Sequence, residues 1–475
     1  MAAEEVSIVI QTDPCSRSYS SSHDEWIKSL RSESTLGITT PAVPKIRRVP
    51  RILGNIESNK KCYEPFVVSI GPFHHGKPEL EPMEKFKIPL AKQYARECNA
   101  SVIELYNKVE EVAGKAKKCY NMEGEDNVDE KEFAHMMFLD GCFILQFICC
   151  IVREKHGELK MKSHDIAFVR RDIFLLENQL PFQVLQVLMS LMFKELDQGL
   201  EMIDKFIMRS RPQRPKKMKY FFQKYFCAKR GPAEAEDKRL NLPIHLLELV
   251  RTNLSDASAF DPKRQTSNAR DLHEKGCYLT GEWCSYRSAM ELKTVGIHFR
   301  PSKSHRFSDI TFKSTGFSSQ LSLPPIHIDD STKSMLLNLV AYEACPDTAD
   351  DFGVTTYVCF MDSLIDNPED VKELRSKGIL LNFLGSDQHV ADLFNEIAKD
   401  LVPNPYGFVG VKLSIEDHYK SKIKVWIAEW KHTHFSTPWT MLAFGAAIFV
   451  ISLSVMQTIL AAIQTYLTAH PPPGK

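Results

Sequence analysis

Apolar residues recur at helical spacing over most of this 475-residue chain. Leu90, Tyr94, Val102, Leu105, Tyr106 and Val109 share one face, which predicts a helix from Leu90 to about Lys118 with Pro89 in its first turn. Phe133 to Val152 is almost continuously apolar and, at 20 residues, long enough to cross a bilayer. His135, Asp140 and Gln146 inside it, and Arg153-Glu-Lys155 after it, predict a buried core helix instead. Helical patterns return at Leu180–Phe193, Asn241–Leu254, Lys333–Glu343, Thr356–Ile365, Pro368–Lys377 and Asp387–Leu401. Asp366-Asn-Pro-Glu-Asp370 places capping and acidic groups at one of these starts, where they suit the helix dipole. Phe66–Ile70 is a short apolar run stopped by Gly71-Pro72, a buried extended segment and a turn. From about 297 to 328, after a short helix closing at Gly296, the period shortens to two, as in half-buried strands. The expected fold is mainly α: a helical globular domain, a small antiparallel β element at about 297–328 and one C-terminal transmembrane helix.

That last helix rests on a stretch without interruption. No charged residue occurs from Phe435 to Leu467. Trp439–Ile463 would span roughly 37 Å as a helix, against a bilayer core of about 30 Å. Trp439 and Tyr466 suit the two interfaces, and Lys420, Lys422, Lys424 and Lys431 precede the span while only Lys475 follows it. The bias predicts a single-pass protein with the bulk of the chain in the cytosol, inserted as a tail anchor, with the plasma membrane as the expected location. Ala443 and Ala447 form a small-xxx-small pair. The layout is a flexible Ser/Thr/Pro-rich segment at 1–45, a mostly helical domain at 46–430, the anchor at 435–467 and a short tail at 468–475. Lys45–Arg51 reads as a solvated basic linker, with docking to anionic lipid as its alternative. Residues 209–240, basic and then aromatic, read as an exposed insertion.

Composition narrows the function classes. Sixty basic residues balance sixty acidic ones, so a basic excess pointing to nucleic acid is missing. The 12 cysteines include no Cys-x-x-Cys pair, and no cleavable signal opens the chain; reduced thiols are expected, no metal site and no cofactor. In a cytosolic domain the sequons at Asn99 and Asn253 carry no meaning.

The chemistry-bearing stretch is Arg170-Arg-Asp-Ile-Phe-Leu-Leu-Glu-Asn-Gln-Leu-Pro-Phe182. Charged and amide groups this close to apolar surface need partners. The candidate polar network is Asp140, Arg170, Arg171, Asp172, Glu177 and Asn178. In the structural reading Asp140 and Asp172 pair with Arg170 and Arg171, and Glu177, Asn178 and Gln179 satisfy backbone groups at a helix start near Pro181. In the catalytic reading Asp140, Asp172 and Glu177 have raised pKa values and do acid–base work in a pocket beside His74 or His75. No phosphate-binding loop, dinucleotide fingerprint, serine elbow or zincin motif occurs. The two function classes are a membrane-anchored interaction or signalling module, binding other proteins or itself, and a membrane-associated enzyme.

Several strings together resemble a known family. Phe66-Val-Val-Ser-Ile-Gly-Pro-Phe-His-His-Gly76, Met83-Glu-Lys85, Phe138-Leu-Asp-Gly-Cys-Phe143, Asp172 to Phe182, Ser288-Ala-Met-Glu-Leu292 with Val295-Gly-Ile297, and the terminal span look like the plant domain-of-unknown-function 247 family, from about residue 45 onward. The resemblance implies a plant protein, mostly helical, with one C-terminal anchor and no agreed catalytic motif, so no catalytic residue carries over. It also implies kinship with proteins linked to pollen–stigma recognition and to stress or defence responses.

Overall fold

The structure, a computed structural model, describes residues 46–122, 128–209, 242–255, 287–315, 318–348, 352–421 and 438–469. The expectations for 1–45, for nearly all of the 209–240 insertion, for Lys431 and for the last residues of the tail fall outside these.

Helix α1 (Glu81–Cys98) begins nine residues before the expected start, so Pro89 lies in its interior. The helix tolerates it because Pro89 and Lys85, whose carbonyl loses its donor, both face water. The single helix expected to about Lys118 is two. Asn99 turns left-handed at φ 53° and ends α1, and Ser101 accepts from Glu104 N at 3.1 Å to start α2 (Val102–Lys117). Helix α3 (Glu130–Val152) is the core helix that its apolar wall predicts, buried along nearly its whole length. Helix α4 (Ser163–Asp172) ends inside the Arg170–Phe182 stretch; a turn follows, then α5 (Phe182–Met192) and α6 (Leu196–Arg209). Helices α1, α2, α5 and α6 all pack on α3. One apolar axis organises this half.

The second half begins with α7 (Leu246–Leu254) and α8 (Ala289–Thr294). Strands β1 (Ile297–Pro301), β2 (Thr311–Thr315) and β3 (Ser318–Leu323) form a sheet in the order β1-β3-β2. The expected antiparallel element is therefore mixed. β2 and β3 pair antiparallel, but β1 lies on the far edge of β3, parallel to it. A second parallel pair joins β4 (Ile326–Ile328) to β5 (Leu380–Asn382), across the intervening α9 (Thr332–Glu343), α10 (Gly353–Leu364) and α11 (Pro368–Ser376). The cap expected before α11 is present, and it is a capping box: the Asn367 side chain accepts from Asp370 N, and Asp370 accepts from Asn367 N at 3.2 Å. Helices α12 (Asp387–Ala398) and α13 (Val409–Lys420) follow. Helix α9 is the second axis, touching α7, α10, α12 and the short helix Lys60–Tyr63.

The basic run after residue 45 is not the solvated linker that its composition suggests. Ile46 is fully buried; its N–H donates to Cys119 O at 2.7 Å and its carbonyl accepts from Asn121 N at 3.0 Å. Arg47 pairs with Asp347, 300 residues along the chain. Asn253, in one of the sequons, is buried. The apolar C-terminal stretch is a helix, α14 (Pro438–Ala469), and Leu442–Tyr466 within it buries nothing against the rest of the chain.

Candidate functional site

The site grows from a segment that belongs to no sheet. From Phe66 to Gly71 the chain bends and then runs without helix or strand between helices, so its backbone N–H groups have no ladder to pair with. Helix and turn side chains supply the acceptors. Asp172, fully buried at the end of α4, accepts from Phe66 N (2.9 Å), Val67 N (2.8 Å) and Val68 N (3.2 Å). Asn178, also fully buried, accepts from Ile70 N at 2.7 Å and donates to Val68 O and Asp172 O at 3.0 and 2.9 Å. Asp140, on α3, accepts from Gly71 N at 2.8 Å. Two carboxylates and one amide thus do what a neighbouring strand would do.

Cations complete the carboxylates. Arg171 Nη1 lies 2.8 Å from Asp172 Oδ1. Its guanidinium also donates to Glu64 O (3.0 Å) and Lys61 O (2.6 Å) and sits 3.6 Å above the Phe66 ring. The expected pairing of Asp172 with Arg171 therefore holds. Asp140 is different: its cation is Lys87, at 2.6 Å, not Arg170 or Arg171. The reason is geometric. Asp140 faces α1 across the core, and Lys87, 1% exposed, stands among Met83, Leu90, Ala91 and Tyr94 on the buried face of that helix. Lys87 also meets Glu84 at 2.7 Å and donates to Ser69 O at 2.7 Å. A lysine at i, i+3 and i+4 from apolar core positions was the available signal.

Arg170 and Glu177 do not share a helical face, because α4 stops at Asp172. Glu177 instead accepts from Val49 N at 2.8 Å and faces His74 Nε2 at 3.4 Å and Arg48 Nη1 at 3.8 Å. Nor do Glu177, Asn178 and Gln179 serve the start of α5. Gln179 donates to Ile173 O and Leu175 O and accepts from Leu247 N at 3.0 Å, beside the start of α7. His74, at the end of the 3-10 turn Pro72–His74, is buried, and His75 just after it is exposed. Gly71 sits at the crossing with φ 70°; a Cβ there would come within 2.7 Å of Tyr120 Oη and 2.9 Å of Gln179 O. Tyr120 Oη itself donates to Gln179 O at 2.8 Å.

Burial raises the Asp172 carboxyl pKa, opposed by the three backbone N–H groups and Arg171. For Glu177 burial also pulls upward, but His74, Val49 N and Arg48 together hold it below the usual range. Lys87 is raised because Asp140 and Glu84 outweigh its desolvation. Its ammonium stays charged.

A further buried carboxylate escaped the sequence reading. Glu343, at the end of α9, accepts from Val354 N (2.9 Å), Thr355 N (2.8 Å), Thr355 Oγ1 (2.8 Å) and Arg251 Nε (3.0 Å). It caps α10 from outside and ties α7 to it. The eight described cysteines are unpaired and burial pushes each thiol upward, Cys149 to about 12. Among the described residues no three His, Cys, Asp or Glu side chains are grouped to hold a metal ion.

Comparison with known proteins follows the same boundaries. A family model described as DUF247, "Plant protein of unknown function", matches residues 46–453, from the first described residue into α14. The chain is similar to the UPF0481 protein At3g47200 of Arabidopsis thaliana, 30% identical over 455 residues, with 90% of this chain and 89% of the relative covered. It is also similar to the putative UPF0481 protein At3g02645 of the same plant, 24% identical over 507 residues, with 93% and 94% covered. No solved structure matches.

Proposed function

The chain belongs to the plant family of unknown function DUF247, and from that premise we propose that it is a membrane-anchored interaction module rather than an enzyme. The observation that carries the reading is the use made of Asp140 and Asp172. Both are almost wholly buried, and both are engaged by backbone N–H groups and a cation. A general acid or base needs a free face toward substrate. These carboxylates hold the fold of a domain that presents its surface to partners.

Anchoring is supported by α14. Its residues 442–466 are apolar, uncharged and buried against no other part of the chain, which in water would expose far more hydrocarbon than a soluble protein carries. A 25-residue apolar stretch suits a thick bilayer, which points to the plasma membrane. The lysines before the span support a cytosolic domain, one that binds other proteins or another copy of itself.

Proximity labelling from the full-length chain in plant membranes tests the interaction reading. A reproducible set of neighbours is expected beyond those labelled by α14 fused to an unrelated domain. Identical neighbour sets, or a turnover activity abolished by Asp172→Asn without loss of stability, would replace this reading with the enzyme. Protease protection on intact microsomes tests the orientation: the domain should be digested, and a shielded domain would reverse it.

A further inference from the structure

Helix α14 carries an amide that nothing among the described residues satisfies. Three of its hydroxyls are provided for within the helix: Ser452 donates to Ile448 O, Thr458 to Ser454 O and Thr465 to Ala461 O, each at 2.8 Å. Gln457 makes no hydrogen bond, and it lies three residues from the middle of the apolar stretch Leu442–Tyr466. In the lipid interior of the proposed span, its two N–H donors and its carbonyl meet only hydrocarbon.

The position of Gln457 on the helix is not arbitrary. Steps of four and three residues lead from Ala443 through Ala447, Val450, Ser454, Gln457 and Ala461 to Gln464. This is the spacing of a left-handed seam between two helices. The seam gathers small residues, which let backbones approach, and both glutamines of the helix. The outward side carries the bulk: Phe449, Ile451, Met456, Ile459 and Ile463 suit acyl chains.

We infer that α14 pairs in parallel with α14 of a second copy of this chain, the two Gln457 amides hydrogen-bonding to each other across the seam. A copy is the fitting occupant because a primary amide is both donor and acceptor. Around a two-fold axis, residue 457 meets residue 457, and each amide donates to the carbonyl of the other. The inference rests on the membrane reading above and adds the partner.

The test uses the full-length chain, tagged at its N-terminus with a luminescent donor or a fluorescent acceptor and co-expressed in plant microsomes. Energy transfer between copies should exceed that of an unrelated single-pass protein at equal density. Gln457→Leu should weaken pairing about three- to tenfold, with Gln457→Asn retaining most of it. Phe449→Leu, on the outward side, should leave it unchanged. Alkaline carbonate extraction of the same microsomes separates the two failures. Chain retained in the pellet without excess transfer, or with transfer undiminished in Gln457→Leu, overturns pairing through α14 and leaves the anchor standing. Chain released to the supernatant overturns the anchor and the pairing with it.

Discussion

Asp172 and Gly71 are the two residues on which the buried crossing depends most. Asp172→Asn keeps the shape but turns an N–H₂ toward either the three backbone N–H donors or the Arg171 guanidinium, and leaves Arg171 half-buried without its counter-charge. A loss of about 3 kcal/mol is expected, measured by chemical denaturation of the detergent-solubilised chain; a change under about 0.5 kcal/mol would show that the carboxylate does not hold segment 66–71. Gly71→Ala places a methyl against Tyr120 Oη and Gln179 O on a backbone at positive φ. Both neighbours are fixed, one by its hydrogen bond and one by the chain, so a loss of at least about 2 kcal/mol is expected in the same assay. The sequence made the polar members of this cluster visible, because charges among apolar residues stand out. It could not assign their partners. The sequence pairs Asp140 with Arg170 or Arg171 in the next polar stretch, whereas the partner, Lys87, lies 53 positions before it in another helix. Pairing across helices depends on which faces meet, and spacing along one helix does not encode that.

At the scale of elements, helices with a strong apolar stripe or a capping residue were legible, α3 and α11 above all. Those that failed did so at identifiable places. Pro89 signalled a start, but an exposed proline can sit within a helix at the cost of one solvated carbonyl. The β region was found by its alternation, yet alternation is the same for parallel and antiparallel neighbours, so β1 beside β3 could not be read. Strand β5 is three residues long and pairs with β4 over a gap of more than fifty, too short for any periodicity. One cap has a pH consequence. His245 starts α7 by accepting from Glu248 N at 3.2 Å, and burial pushes its pKa down to about 3 from 6.5. Below pH 6.5 the unfolded imidazole takes up a proton that the buried one refuses. Stability is therefore complete above 6.5 and falls as the pH drops toward 3, by about 2 kcal/mol at pH 5. His245→Asn keeps an N-cap acceptor without this titration, so it should lose about 2 kcal/mol less than wild type between pH 7 and pH 5 in urea melts. Equal losses would show that His245 is not buried neutral.

Across the whole molecule the chain's beginning is held by parts made much later. Ile46 is clasped by Cys119 and Asn121, Val49 by Glu177 and Arg47 by Asp347, and the N–H groups of 66–71 wait for Asp140, Asp172 and Asn178. Nothing in the basic run signals this, because its arginines look solvated until their acidic partners are placed beside them. The hydrogen-bonded amides of Phe66, Val67, Val68, Ile70 and Gly71 should exchange with deuterium only on global unfolding; exchange as fast as in an exposed loop would mean that the helices do not clamp them. The same arrangement sets a clock on synthesis. At about 5–20 residues per second, the ribosome needs roughly 5–20 s after Phe66 to reach Asp172 and roughly 15–60 s after Arg47 to reach Asp347. Throughout that interval an apolar stretch with unpaired amides stands ready to pair with any strand edge. Among the described residues, the first thirty of the fold therefore wait longest for their partners, and shelter of the nascent chain would matter most there.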